Sequence, residues 1–415
     1  MKSRFLSGLL NKHIRSSMGR IIVLTGARQT GKTTLARHSF PEYNYLSIED
    51  PIMRMEYKKL TATQWKELYP KAILDEVQKE AILIESIKSA YDQYPEVRYL
   101  LLGSSQLLLL EKVKESLAGR CIIEEVFPLT LPELLTNEWK DEIRISVFQE
   151  LLINGVLQEL SPSFRMLPDY SKRQSVFEYY LQYGGYPALV HPEMTDESRF
   201  LWLQNYVRTY LERDIRDLAE FRLLEPFVKT QHLSALLTGQ LINYTNLSKD
   251  VGITSKTVKR FINYLEISYQ VIMLQPWFGN KIKRLVKSPK LHYLDPGVHR
   301  AIINKRGALN GHEYESAVIA EMYKQMRTAK VNARFLHLRS HSGMEIDLLV
   351  ELENGYLAFE VKNTESVDTK DARHLRSLAG KLDKPLLYSF VLSNSPDIKE
   401  LSENVWALPS AYFLS

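Results

Sequence analysis

Eight residues constrain this chain more than any others: Gly26-Ala27-Arg28-Gln29-Thr30-Gly31-Lys32-Thr33, with Thr34 directly after them. They fit Gly-x-x-x-x-Gly-Lys-Thr, and their neighbours supply the setting that pattern needs. Upstream, Arg20-Ile21-Ile22-Val23-Leu24-Thr25 predicts a strand, and downstream Thr34-Leu35-Ala36-Arg37-His38 predicts a helix. The glycines let successive backbone N–H groups converge on one anion, and the positive end of the following helix adds to the field there. In such a phosphate loop Lys32 reaches the β- and γ-phosphates, and the Thr33 hydroxyl completes a Mg²⁺ shell.

A strand-loop-helix of this kind belongs to a parallel α/β sheet, whose ligands gather at the carboxyl ends of the strands. Asn44-Tyr45-Leu46-Ser47-Ile48 predicts a second strand and Lys71-Ala72-Ile73-Leu74-Asp75-Glu76 a third, apolar until its two terminal acids. At that strand end Asp75 is expected to face the Mg²⁺ held by Thr33, and Glu76 to polarise the attacking water. Arg98-Tyr99-Leu100-Leu101-Leu102 predicts a fourth strand ending in Gly103-Ser104-Ser105. Ser104 either hydrogen-bonds between γ-phosphate and water or belongs to a plain strand-ending turn. Arg120, before the strand-like Cys121-Ile122-Ile123-Glu124-Glu125-Val126, is either an ordinary surface arginine or one that stabilises transition-state charge. In the second case it acts in its own subunit or in a neighbour's site, and the neighbour's site implies a homo-oligomer.

Several of these segments together resemble the prokaryotic AAA-type ATPases that carry a conserved carboxy-terminal domain of unknown function. They are the phosphate loop, Ile73-Leu74-Asp75-Glu76-Val77-Gln78, Leu102-Gly103-Ser104-Ser105, Ser116-Leu117-Ala118-Gly119-Arg120 and Pro128-Leu129-Thr130-Leu131-Pro132-Glu133-Leu134. The resemblance continues through Tyr183-Gly184-Gly185-Tyr186-Pro187 and Tyr210-Leu211-Glu212-Arg213-Asp214-Ile215 to the end of the chain. It implies ATP binding, and the sequence has no Asn-Lys-x-Asp after the sheet to select guanine. It also implies a helical lid in the mainly helical stretch from about Leu160 to Leu224.

Beyond that stretch the pattern changes. Leu247 to Arg260 reads as a helix, a turn at Gly252 and a second helix capped by Thr254 or Ser255, with Val258, Phe261, Ile262 and Leu265 on one face. Val271-Ile272-Met273-Leu274 beyond it suits the hairpin of a winged helix. Lys256, Lys259 and Arg260, joined by Lys281, Lys283, Arg284, Lys287 and Lys290, make a basic set suited to the phosphates of duplex DNA, or else a solvated face in a protein-packing module.

A second constellation closes the chain. Glu345-Ile346-Asp347-Leu348-Leu349-Val350 and Tyr356-Leu357-Ala358-Phe359-Glu360-Val361-Lys362 are strand-like runs around Asn354-Gly355, a two-residue hairpin signal. If Glu353 pairs with Tyr356, Asp347 stands opposite Lys362 with Glu360 on the same face. This is similar to the Asp…Glu-x-Lys core of restriction-endonuclease-like nucleases. The resemblance implies that Asp347 and Glu360 hold a divalent metal, that Lys362 positions or activates water, and that Glu315 adds an acid. Opposite charges across a hairpin also stabilise it without any metal.

Composition sets the outer limits. At 415 residues two to four domains are expected. A net charge of only +5 means that attraction to nucleic acid has to come from local patches. The lone Cys121 excludes an intrachain disulfide and argues for a reducing compartment. With no apolar stretch of membrane-spanning length and no leader-like amino terminus, the expectation is a cytoplasmic protein. The fold class expected is α/β, arranged as an AAA-type ATPase core (1–160), a helical lid (161–225), a winged helix (226–300) and an α/β restriction-endonuclease-like domain (301–415). The function expected is a Mg²⁺-dependent ATPase coupling nucleotide state to DNA binding or cleavage, or a nucleotide-gated switch that binds protein or DNA and cuts nothing.

Overall fold

The computed structural model describes residues 1–16, 18–103, 113, 115–155, 157, 163–164, 169–218, 224–277, 288–340 and 343–415, with backbone alone at 163–164 and 210–218. Among the described residues the mixed α/β chain builds two sheets. The first holds β1 (Ile21–Thr25), β2 (Asn44–Ser47), β3 (Lys71–Asp75), β4 (Arg98–Leu102) and β5 (Ile122–Glu125), in the order β2-β3-β4-β1-β5 with every pair parallel. Its middle strands are apolar because helices cover both faces, as a buried parallel sheet requires. Ile21, Val23 and Leu74 join one core, while Ile22, Leu24 and Ile73 join another. All five strands end on one side. There β1 runs into the phosphate loop, and β4 comes out between it and the acids that close β3.

The second sheet has ten strands: β6 (Ser163–Phe164), β7 (Gln240–Leu241), β8 (Val271–Pro276), β9 (Lys290–Tyr293), β10 (Arg334–Arg339), β11 (Glu345–Glu351), β12 (Tyr356–Lys362), β13 (Leu386–Ser393), β14 (Asp397–Ser402) and β15 (Val405–Pro409). They are ordered β6-β14-β15-β13-β12-β11-β10-β8-β9-β7. The helices Tyr244–Val251 and Ser255–Ile267 precede β8, turning at Gly252 (φ +84°), and β9 pairs with both β7 and β8. Val258, Phe261, Ile262 and Leu265 are buried, and Lys256, Lys259 and Arg260 are exposed. Strand β8 also pairs with β10, so the sheet runs without a break across residue 300.

The first core likewise ends earlier than residue 160. Leu131, Leu134, Phe148 and Leu151 pack with Tyr314, Val318, Phe359 and Phe413 in one buried cluster that belongs to the second sheet. The helix Tyr170–Tyr183 joins them through Phe177 and Tyr180, and the short segment after it, with Pro187 and Val190, reaches the phosphate loop.

The hairpin β11–β12 differs from its expected register. Glu351, not Glu353, pairs with Tyr356, and Leu352 N–H donates to Gly355 O across a longer turn. A two-residue slip preserves which side chains share a face, so Asp347, Glu360 and Lys362 still gather. Counting down the register, however, Asp347 stands level with Glu360 rather than Lys362. The hairpin is also buried on both sides: Leu348 and Phe359 lie in one core, Leu349 and Ala358 in another.

Candidate functional site: a phosphate loop and an acid pocket

Three features shape the phosphate loop. Gly26 takes φ +142°, and a Cβ there would stand 2.2 Å from the Val126 carbonyl oxygen, so only glycine lets β1 and β5 close at this point. Gln29 and Gly31 are both left-handed, at φ +60° and +87°, which curls the backbone between them. Thr30 Oγ1 donates to Ala27 O at 2.8 Å and braces the curl. The helix Lys32–Ser39 then begins inside the concavity, with its amino-terminal N–H groups turned toward the loop.

Lys32 is buried and folds back over the loop, its Nζ donating to Gly26 O at 2.8 Å and Ala27 O at 2.7 Å. Thr33 Oγ1 donates to Asp75 Oδ2 at 2.6 Å, and the Tyr45 hydroxyl donates to the same oxygen at 2.9 Å. Burial, followed by the Asp75 charge, pushes the Tyr45 hydroxyl up to about 12, so it stays a donor. Glu76 sits in the left-handed region (φ +60°, ψ +38°) and receives a hydrogen bond from Gln78 Nε2. Lys32, Thr33, Asp75 and Glu76 are thus brought together at the carboxyl end of the sheet. Ser104 lies outside the described residues, but its predecessor Gly103 is tied to the neighbouring strand by its N–H on Leu24 O.

Arg120 stands apart from this group. Ile22 is level with Ile122, so Arg120, two residues before β5, lies at the amino end of the sheet, a strand's length from the loop. Its Nε donates to Asp92 at 2.8 Å in solvent. In its own chain Arg120 therefore does not share the site of Lys32, which leaves a neighbour's site or the surface.

A small cavity of about 100 Å³ adjoins the loop, walled by Met1, Thr34, Leu35, Leu129, Pro187 and Val190 among others. Pro187 comes from Tyr183-Gly184-Gly185-Tyr186-Pro187 and lies against Gly31, 3.6 Å from where a Cβ would stand. The two glycines have steric work to do. A Cβ on Gly184 would meet Asp295 Oδ1 at 2.0 Å, and one on Gly185 would meet Leu129 O at 2.2 Å. Gly185 N–H donates to Asp295 Oδ2 (2.8 Å), and Gly185 O accepts from Leu129 N–H (2.6 Å). Leu129 O in turn accepts from the buried Lys324, whose ammonium pairs with Glu321 at 2.7 Å, and Glu321 accepts from Leu131 N–H. Tyr45, Gln78, Pro187 and Lys324 were all missed as site residues. Pro187 and Gln78 stood within motifs already noted and Tyr45 within an expected strand, but nothing local marks their side chains or Lys324 as facing the loop.

The helix Gly311–Thr328, which carries Glu321 and Lys324, also carries Glu315 at its other end. Glu315 opens into a pocket of about 510 Å³ with Asp347, Glu360, Lys362, Lys290 and His374. Lys362 Nζ lies 3.3 Å from Glu360 Oε2, and Asp347 Oδ2 accepts from Val361 N–H at 2.9 Å. Burial, and then the Asp347 charge it is hydrogen-bonded to, pushes the Glu360 carboxyl up to about 9. Burial would raise Asp347 as well, but Lys290 and the bonds from Glu360 and Val361 bring it below the usual carboxylate range.

Lys290 is a correction to the basic set expected to contact phosphates. It is buried, and its Nζ lies 2.5 Å from Glu315 and 3.4 Å from Asp347. Lys281, Lys283, Arg284 and Lys287 lie outside the described residues. Among the described residues no group of three His, Cys, Asp or Glu side chains is placed to hold a metal ion, and no helix is long and apolar enough to cross a membrane.

Comparison with known proteins bears on the part of the chain that holds the phosphate loop. Residues 18–135 match the family described as an AAA domain, so this part of the chain is a P-loop ATPase domain of the AAA type. Residues 174–308 and 310–413 match two further families, each described as a domain of unknown function. Uncharacterized proteins of Mycobacterium tuberculosis and Mycobacterium bovis are each 26% identical over 408 residues, 95% of this chain and 81% of theirs. Among solved structures, the Walker-type ATPase PABY2304 of Pyrococcus abyssi is 15% identical at a TM-score of 0.42, covering 71% of this chain and 94% of its own. The ORC2 protein of Aeropyrum pernix, in its ADPNP-ADP complexes, is 13% identical at 0.36, covering 77% and 94%. Both are partial likenesses.

Proposed function

We propose, on the premise of an AAA-type ATPase domain at residues 18–135, that this protein is a Mg²⁺-dependent ATPase whose nucleotide state is passed to a DNA-contacting carboxy-terminal half. The observation that carries the coupling is the position of Pro187 against Gly31, on a segment clamped through Gly185 to both Asp295 and Leu129. A nucleotide entering the loop touches that segment, and Asp295 caps the helix Pro296–Ile302 beyond it. The small cavity beside Pro187 is apolar enough to take a purine base next to the phosphates.

The residues fit the nucleotide and its metal. Mg²⁺ bound at Thr33 and Asp75 would neutralise phosphate charge. Lys32, now on two loop carbonyls, turns its ammonium toward the phosphates, and the loop N–H groups hold their oxygens. Tyr45 fixes the orientation of Asp75. Glu76, strained in backbone and held by Gln78, accepts the proton of the attacking water. The exposed Lys256, Lys259 and Arg260 on the helix Ser255–Ile267 support contact with duplex DNA.

The test is ATP turnover with Mg²⁺, with and without duplex DNA, using Glu76→Gln as the blank. Stimulation that fades as salt rises supports DNA as the partner, because phosphate contacts release counterions. Turnover indifferent to DNA at low salt assigns the carboxy-terminal half to a protein partner instead.

A further inference from the structure

The Asp…Glu-x-Lys pattern leads one to expect a divalent cation between Glu315, Asp347 and Glu360, and the structure places a different cation there. Lys290 and His292 alternate along β9 and so project to the same side of the strand. The Lys290 ammonium reaches Glu315 Oε1 at 2.5 Å, Asp347 Oδ1 at 3.4 Å and Glu345 Oε1 at 3.8 Å, with only 3% of its side chain exposed.

The other carboxylate oxygens are engaged as well. Asp347 Oδ2 accepts from Val361 N–H, and Glu360 is hydrogen-bonded to Asp347. Glu360 Oε2 faces Lys362 at 3.3 Å and its Oε1 faces His374 at 3.7 Å, while Glu315 Oε2 faces His312 at 3.8 Å. A Mg²⁺ ion needs several oxygens at roughly 2.1 Å in octahedral array. To share Glu315 and Asp347 with Lys290 it would have to lie within a few ångströms of an ammonium in a buried site, where like charges repel strongly. The acids therefore do not fit a metal while Lys290 holds its place.

We propose that Lys290 is a tethered cation standing where a nuclease of this pattern would bind its metal, so that the pocket is neutralised from within and does not hydrolyse phosphodiesters. A fixed ammonium has no open coordination position and generates no hydroxide, so it supplies charge balance without the chemistry of a metal. The carboxy-terminal half then binds and does not cut. Removing the ammonium leaves Glu315, Asp347 and Glu360 facing one another, with the buried His292 Nε2 4.0 Å from Glu315. Those are oxygen and nitrogen donors of the type a divalent ion takes, and they have to draw together around it once the ammonium is gone.

The experiment is a Mn²⁺ titration of the full chain without nucleotide, followed by the electron paramagnetic resonance of the free ion. In the unmodified protein, Asp347→Asn is expected to leave the Mn²⁺ isotherm unchanged. Lys290→Met is expected to gain one site, at least about tenfold tighter than any in the unmodified protein, which Lys290→Met/Asp347→Asn loses again and Lys290→Arg never acquires. A Mn²⁺ site in the unmodified protein that Asp347→Asn removes overturns the proposal, and so does a folded Lys290→Met that gains nothing. Should Lys290→Met fail to fold, the comparison of the unmodified protein with Asp347→Asn decides alone.

Discussion

At Glu76 the backbone takes a left-handed conformation that costs a non-glycine residue about 1–2 kcal/mol, directly after a strand that otherwise follows every rule of a buried parallel sheet. Such strain persists where the side chain has a task. Glu76→Gly is therefore expected to raise stability by up to about 1 kcal/mol, read as a higher denaturation midpoint, while ATP turnover falls at least about 100-fold. A variant that gained stability and kept its turnover would remove Glu76 from the reaction. Lys32→Ala is expected to abolish measurable ATP binding by calorimetry, because the ammonium now on Gly26 O and Ala27 O is the side-chain cation the loop offers the phosphates. Lys32, Thr33, Asp75 and Glu76 were legible in the sequence because each is fixed by a pattern within one strand-loop-helix or one strand end. Tyr45 and Lys290 were not, because their roles arise only when β2 is laid beside β3, and β9 beside the helix Gly311–Thr328.

Elements are constrained where they touch, and the segment Gly184–Pro187 makes two such close contacts. Gly184→Ala would force a Cβ to 2.0 Å from the Asp295 carboxylate at φ +76°, and Gly185→Ala one to 2.2 Å from Leu129 O. Each is expected to cost about 2 kcal/mol or more and to weaken ATP binding, since Pro187 moves with them; a melting curve and an ATP titration of each variant check both effects. Strands β9 and β10 carry a second consequence, through the buried imidazoles of His292 and His337. Burial, with Lys290 nearby, pulls His337 down to about 4, although the Ser288 backbone opposes this and Arg339 adds to it. The unfolded chain, titrating near its ordinary value of about 6.5, then binds more protons than the folded one between these values. The stability that a neutral His337 confers is whole above pH about 6.5 and is lost as pH falls toward 4. Melting temperatures measured from pH 7.5 down to 5 should fall, and His337→Leu should flatten that decline; an unchanged slope would place the acid sensitivity elsewhere. The hairpin β11–β12 shows how far sequence reaches at this scale. Asn354-Gly355 located the turn, and alternation grouped Asp347, Glu360 and Lys362. The four-residue turn that shifts the pairing by two is decided by Pro385 O and Leu352, which no local pattern announces.

On the scale of the whole molecule, the α/β fold class follows from periodicity and motif, but where one core stops and the next begins does not, because the cores are shared. Residues 131–154 follow the ATPase sheet in the chain and pack on the other sheet, and β8 joins strands from both sides of residue 300. Between the halves, Tyr269 hydroxyl meets Thr25 Oγ1 at 3.0 Å, Arg327 pairs with Glu125 and Lys330 with Glu124, and the buried Lys324–Glu321 pair clasps Leu129 and Leu131. Breaking that buried pair from one side, as Lys324→Met does, leaves Glu321 in the core without its cation and is expected to cost about 3–5 kcal/mol. More tellingly, an interface of this kind makes the two halves one cooperative unit. Scanning calorimetry of the unmodified protein should show a single transition, and ATP with Mg²⁺ in the presence of Glu76→Gln, where nothing is consumed, should move all of it upward by mass action. Lys324→Met should separate a carboxy-terminal transition that ATP no longer moves. If the unmodified protein already melts in two steps and ATP raises only one, the nucleotide site and the carboxy-terminal half are neighbours without coupling, and the signal proposed to pass through Gly185 and Leu129 has no thermodynamic basis.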